Sequence, residues 1–209
     1  TPLDVIDVYG ADALRYYLLR GSSFGADGNF TWDDFIKRYN ADLANDIGNL
    51  LNRSLGMAKK YFSGTVGKGE EADSDRDLIQ KAGATGKKVR ESMDYLKGDL
   101  QYHLALEAIW ELIGAADKYI DVSAPWTLKK EGKEDRLKQV LHNVFNCLRL
   151  IGLWVAPFMP ATAEKIYAQL NLDLPKTFAE GAPWTAMPAE HRLGEAAPLF
   201  PRIETMVSS

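Results

Sequence analysis

Asparagine and arginine four residues apart on a helix sit one turn apart on the same face, and the chain places Asn49 and Arg53 in that relation. Asn45 and Asn52 flank them. An amide and a guanidinium held side by side present fixed donors and acceptors, the chemistry needed to meet the edges of nucleobases. The same residues also make an ordinary solvated face opposite Leu50 and Leu51, and spacing alone favours that reading. Pro125-Trp126 is the second candidate. Proline stiffens the backbone at a helix junction, so the indole can be held outward as a stacking platform for an unpaired base. The alternative is a tryptophan that staples two helix ends. Lys59-Lys60 and Lys129-Lys130 are short cationic pairs able to meet phosphates, although such pairs commonly just face solvent.

Other reactive residues are less suggestive. His103, His142 and His191 lack metal-ligand spacing. Cys147 falls on the face of a buried helix and reads as inert. Trp32, Trp110, Trp154 and Trp184 read as packing residues. The sequence shows no phosphate-cradling glycine loop, nucleophile elbow or zinc motif, so no cofactor or metal is expected on this chain and no catalytic constellation is visible.

The elements that must position these candidates are helical. Thr1, Pro2 and Asp4 look like a helix start, and a second helix runs from about Asp12 to Arg20. Phe24 to Gly28 is a turn-rich connector. Thr31, with Asp34 three residues on, caps a long helix to about Phe62, whose apolar positions Leu43, Ile47, Leu50, Leu51 and Leu55 recur at helical spacing. Residues 63–75 read as a loop, with Ser74 capping a helix that buries Leu78, Ala82, Val89, Met93 and Leu96. The next helix, from Leu100 to about Ile120, buries Leu104, Ala108, Leu112, Ala116 and Tyr119. Helices from Arg136 to Val155 and from about Ala161 to Leu170 follow, and a proline-rich irregular tail closes the chain. Long helices joined by short loops predict an all-α antiparallel bundle. No internal repeat is found.

Composition sets further bounds. At 209 residues and 46% hydrophobic content the chain can bury a substantial core. A net charge of -4 argues against a globally basic nucleic-acid binder, so any RNA contact must be local. One cysteine excludes an internal disulfide framework and suggests a reducing, cytoplasmic setting. The most apolar stretch, Val140 to Phe158, carries His142, Asn143, Asn146 and Arg149, which would be costly in lipid; it reads as a buried helix, with no membrane partner.

Several runs resemble the methionyl-tRNA synthetase family. Residues 9–20, YGADALRYYLLR, resemble the segment just beyond that family's lysine-rich ATP loop, and Phe24-Gly25-Ala26-Asp27-Gly28 continues the match. Residues 38–50, RYNADLANDIGNL, resemble the start of its anticodon-binding bundle, and Ala124-Pro125-Trp126 and the closing LFPRIE of residues 199–204 are similar too. The resemblance implies a stem-contact segment over residues 1–40, a helical anticodon-binding bundle over 41–170, and a tail over 171–209 that folds back toward the catalytic domain of the same chain. It implies that Asn49 and Arg53 read the CAU anticodon of methionine tRNA and that Trp126, after Pro125, stacks on an anticodon base. ATP and Mg would serve methionine activation in a catalytic domain outside this segment. The equivalent domain of another class I synthetase, such as the cysteinyl or leucyl type, and a free-standing helical protein-binding adaptor are the competing readings.

Overall fold

A computed structural model describes residues 2–21, 30–98, 100–184 and 187–204. Two short helices, α1 (Pro2–Tyr9) and α2 (Ala11–Gly21), lead in. Then follow α3 (Trp32–Arg38), a π-helical segment (Tyr39–Gly48) and α4 (Asn49–Phe62), which form one continuous helical rod. The bundle continues with α5 (Asp75–Ser92), α6 (Tyr102–Ser123), α7 (Pro125–Lys130), α8 (Glu134–Val155) and α9 (Pro160–Leu170), and a short α10 (Phe178–Gly181) lies in the tail. The fold is all-α, as the periodicity predicts, apart from one two-stranded antiparallel ladder. Strand β1 (Thr65–Gly67) pairs with β2 (Glu190–Arg192), so that Thr65 faces Arg192 and Gly67 faces Glu190.

Helix α8 is the centre. It packs on α4, α5, α6, α7 and α9, and from Leu137 to Val155 every residue except Lys138 is buried. A helix buried on all sides sits in the middle of a bundle, and here its interior face includes the polar Gln139, His142, Asn143, Asn146 and Arg149. Each fully buried Leu, Ile or Phe there contributes about 1.5–3 kcal/mol relative to exposure. Close approach of α5 to α8 depends on Gly86, where a Cβ would fall 2.6 Å from Trp154 Cζ2.

Caps and loops refine the sequence reading. Thr31 Oγ1 accepts from the Asp34 N–H at 3.2 Å, as expected, while the Asp34 carboxylate accepts from the Tyr17 hydroxyl at 3.0 Å. The starting cap at Thr1 and the connector at 24–28 lie outside the described residues. Ser74 makes no capping hydrogen bond; Asp75 Oδ2 accepts from the Ala72 N–H instead. Arg136 donates to both carboxylate oxygens of Asp75, at 2.8 and 2.6 Å, and the Tyr119 hydroxyl donates to Oδ1 at 2.7 Å. Burial raises the Asp75 pKa, but these donors outweigh it and the net shift is downward. This knot pins the segment before α5 to α6 and α8.

Three expected core residues lie elsewhere, the first being Met93, which is only half-buried just past the end of α5. α5 stops at Ser92 and a 3-10 turn at Tyr95–Lys97 redirects the chain, so Leu96 is 79% exposed. Leu104 is only half-buried, on the first turns of α6. The 63–75 segment and the tail are also less irregular than their composition suggests, because β1 and β2 stitch them together.

The π-helical segment has a visible local consequence. It brings the Leu43 carbonyl oxygen so near Gly48 that a Cβ there would lie 2.8 Å away. Only glycine fits that spot without displacement. Asn49, the first residue of α4, follows directly.

Candidate nucleic-acid interface

The α4 helix carries Asn49 and Arg53 one turn apart, and the C-terminal end of α6 with the start of α7 faces Arg53. Ala124 adopts a left-handed conformation (φ 43°), which ends α6 and turns the chain into α7. Pro125 occupies the first turn of α7 and is buried, so Trp126 leaves a fixed backbone. Its indole is 48% exposed. Arg53 reaches across: its guanidinium carbon lies 5.8 Å from the Trp126 ring centroid, within cation–π range.

Two carboxylates hold the arginine from behind. Arg53 Nη2 donates to Asp121 Oδ1 at 2.6 Å, and Nη1 lies 3.8 Å from Asp117 Oδ1. The Arg53 side chain keeps 30% of its surface in solvent. A guanidinium carries five N–H donors in a rigid fork, so engagement with Asp121 leaves donors for a ligand.

Further acids line the same seam. Asp117 is pushed above the ordinary carboxylate range by burial; Arg53 opposes the shift and Asp121 adds to it. Asp46, on the π-helical segment, is raised to about 6 by burial and by the charges of Asp42 and Asp117. Asp42 is itself engaged, accepting from the Tyr16 hydroxyl at 2.8 Å.

Asn49 is exposed and opens onto a groove of about 620 Å³ that it lines with Asn45, Asn52 and the tail residues Leu199, Phe200 and Arg202. The tail is seated on the rod: Asn40 Nδ2 donates to the Ile203 carbonyl and its Oδ1 accepts from the Ile203 N–H, both at 2.9 Å. Lys59 and Lys60 are exposed on the last turn of α4, and Lys130 is exposed at the end of α7. Lys129 Nζ pairs with Glu134 at 2.5 Å and lies 6.0 Å from the Phe62 ring centroid.

The structure therefore brings Arg53 and Trp126 into contact and leaves Asn49 one turn away on an open groove. Asp117, Asp121, Asp46 and the tail wall are absent from the sequence reading. Asp117 and Asp121 share the four-residue spacing of Asn49 and Arg53, but a spacing does not say which helix lies opposite. Among the described residues no group of three or more His, Cys, Asp or Glu is placed to hold a metal ion, and no helix is long and apolar enough to cross a membrane.

The helical bundle places the chain among the class I aminoacyl-tRNA synthetases. Residues 1–55 match the family described as class I tRNA synthetases (M), and residues 66–206 match the anticodon binding domain of methionyl tRNA ligase. The chain belongs to the methionyl-tRNA ligase family and carries its anticodon-binding domain. It is 44% identical over 207 residues to the methionine–tRNA ligase of Fusobacterium nucleatum, covering 97% of this chain and 32% of that protein. To the Bacillus subtilis enzyme it is 39% identical over 211 residues, with 97% and 31% covered. The crystal structure of the apo form of Mycobacterium tuberculosis methionyl-tRNA synthetase matches with a TM-score of 0.88 at 35% identity, over 98% of this chain and 41% of that one. The chain spans about a third of the length of these curated relatives.

Proposed function

We propose that Asn49, Arg53 and Trp126, with Pro125 fixing the tryptophan, read the CAU anticodon of methionine tRNA. The observation that carries this reading is the contact between Arg53 and Trp126, with Asp121 holding the arginine and the indole half exposed. An unpaired base stacks on the free indole face while Arg53 and Asn49 meet base edges, the usual way in which proteins read single-stranded loops. Lys59, Lys60, Lys129 and Lys130 meet backbone phosphates. Residues 1–40 contact the tRNA stem, and the tail from 171 meets the catalytic domain of the same chain. The placement of the Asn40–Ile203 pair, which ties the tail to the end of that first segment, supports the shared location. ATP- and Mg-dependent activation of methionine, and its transfer to tRNA in the cytoplasm, belong to the remaining length of the parent enzyme.

Base-edge readout and stacking fail in different ways. A wrong base leaves buried donors or acceptors unpaired at a cost of about 1–3 kcal/mol, so Asn49→Ala and Arg53→Ala shrink the gap between CAU and altered anticodons. Arg53→Lys does not restore it, because an ammonium cannot reproduce the planar fork. Charging of methionine tRNA with native and altered anticodons by the full-length ligase is the test. If all three variants charge both tRNAs as the parent does, the assignment is wrong.

A further inference from the structure

The α4–α7 seam holds two cation–aromatic pairs of opposite sense. At one end Arg53 of α4 lies over Trp126 of α7. At the other Lys129 of α7 lies over Phe62 of α4. Nine residues separate Arg53 from Phe62, which at a rise of 1.5 Å per residue places the pairs roughly 14 Å apart. A stacked single strand covers that distance with about four bases, at roughly 3.4 Å each.

Just beyond the second pair lies a hollow of about 510 Å³, lined by Phe62, Ser63, Thr65, Lys68, Lys138 and Glu190 among others. The β1–β2 ladder forms its floor and fixes Thr65 and Gly67 in place. Two ammonium groups and two hydroxyls face a single carboxylate there. Lys68 is exposed and enters none of the ion pairs among the described residues. Lys138 pairs with Asp135 at 3.2 Å, with that carboxylate 76% exposed, and an open surface pair of this kind yields readily to a better anion. Hydroxyl and ammonium donors without an array of matching acceptors grip a backbone and do not read a sequence.

We propose that this hollow is a subsite for the phosphodiester backbone of the RNA strand that flanks the anticodon, with Lys68 and Lys138 as its phosphate ligands. The proposal rests on the anticodon reading above, which places the bases at Trp126 and the strand along the seam. The ring of Phe62 and the ammonium of Lys129 guide the strand from one subsite to the next.

The test is tRNA affinity of the full-length ligase measured across roughly 50 to 200 mM salt, the range over which counterion release dominates. The double variant Lys68→Ala/Lys138→Ala flattens the slope of log K against log salt by about 1.4, at roughly 0.7 per neutralised phosphate on a single strand. It weakens binding of CAU and altered-anticodon tRNAs by the same factor. The double variant Lys68→Arg/Lys138→Arg keeps the parent slope, and Trp126→Ala weakens binding without changing it. An alanine pair with the parent's slope and affinity overturns the subsite, whatever Trp126→Ala does. Loss of slope in both pairs also overturns it, since charge would then not be the cause. Trp126→Ala binding as tightly as the parent overturns the anticodon reading instead.

Discussion

The molecule uses asparagine, arginine and tryptophan twice on helices, to opposite ends. On the α4–α7 seam Asn49 is exposed, the Arg53 side chain is 30% exposed and Trp126 48%. On α8, Asn146, Arg149 and Trp154 are all buried, the arginine at 3% and the tryptophan at 2%. Arg149 donates through Nη1 to the Gly181 carbonyl and through Nη2 to the Pro183 carbonyl at 2.5 Å, clasping the tail to the bundle. Burial pulls the Arg149 pKa downward, with the Tyr167 hydroxyl pushing the other way. Arg53 is braced on one side only. On α8 the chain closes over these residue types and they serve structure; on the seam one edge is left to solvent, where we propose that they serve recognition.

The sharpest break in this comparison is stability. Trp154→Ala leaves a large cavity against Gly86 and costs about 3–5 kcal/mol. Urea unfolding followed by circular dichroism measures it, and a loss below about 1 kcal/mol would remove Trp154 from the structural set. Next is Arg149→Met, which leaves the buried Gly181 carbonyl unpaired at about 1–3 kcal/mol, while the carbonyl of the exposed Pro183 turns to water. Trp126→Ala reverses the pattern. It lowers tRNA affinity by about 1–3 kcal/mol, roughly five- to 150-fold. Its unfolding free energy stays within about 0.5 kcal/mol of the parent's. Equal destabilisation by Trp126→Ala and Trp154→Ala would erase the distinction.

The smallest effect is a pH dependence. Asp46 is raised from 3.8 to about 6 in the fold, so between those values the native state holds more proton than the unfolded one. Stability contributed by this group is therefore present at low pH and declines as pH rises through 3.8 toward 6. Asp46→Asn removes that decline, and unfolding curves at pH 4, 5, 6 and 7 check it, the variant gaining most on the parent at about pH 7. A parent and variant whose stabilities run parallel across that range would show that folding leaves the titration of Asp46 where it is in the unfolded chain.

Much of the architecture was legible because helix signals are local. Apolar periodicity located the rod from Thr31 to Phe62, and Ala124-Pro125 marked the α6–α7 junction. Trp154 and Cys147 are in the core where the sequence reading put them. The rest depends on partners distant in sequence. Nothing in the 63–75 segment announces that Thr65 will pair with Arg192, and nothing near Arg53 announces Asp121. Leu96 shows the limit of periodicity itself: the apolar pattern continues past Ser92, but the helix does not. The residues proposed to read the anticodon could be singled out from type, spacing and resemblance, but their bracing carboxylates belong to a register that only the folded chain supplies.

The π-helical segment at Tyr39–Gly48 sets an angular phase. Its wider turns decide the azimuth at which Asn49 and Arg53 emerge from a rod whose first turns are already fixed by Phe35 and Tyr39 in the aromatic cluster with Tyr9. Each residue of an α-helix advances the azimuth by about 100°, the consequence of 3.6 residues per turn. A π turn closes its hydrogen bond over five residues and not four, so the segment takes up residues that an α-helix would spend on rotation, and Arg53 downstream emerges in the phase that meets Asp121 and Trp126. On the reading proposed above, the spacing between Tyr39 and Gly48 matters to recognition through the direction that it gives Arg53.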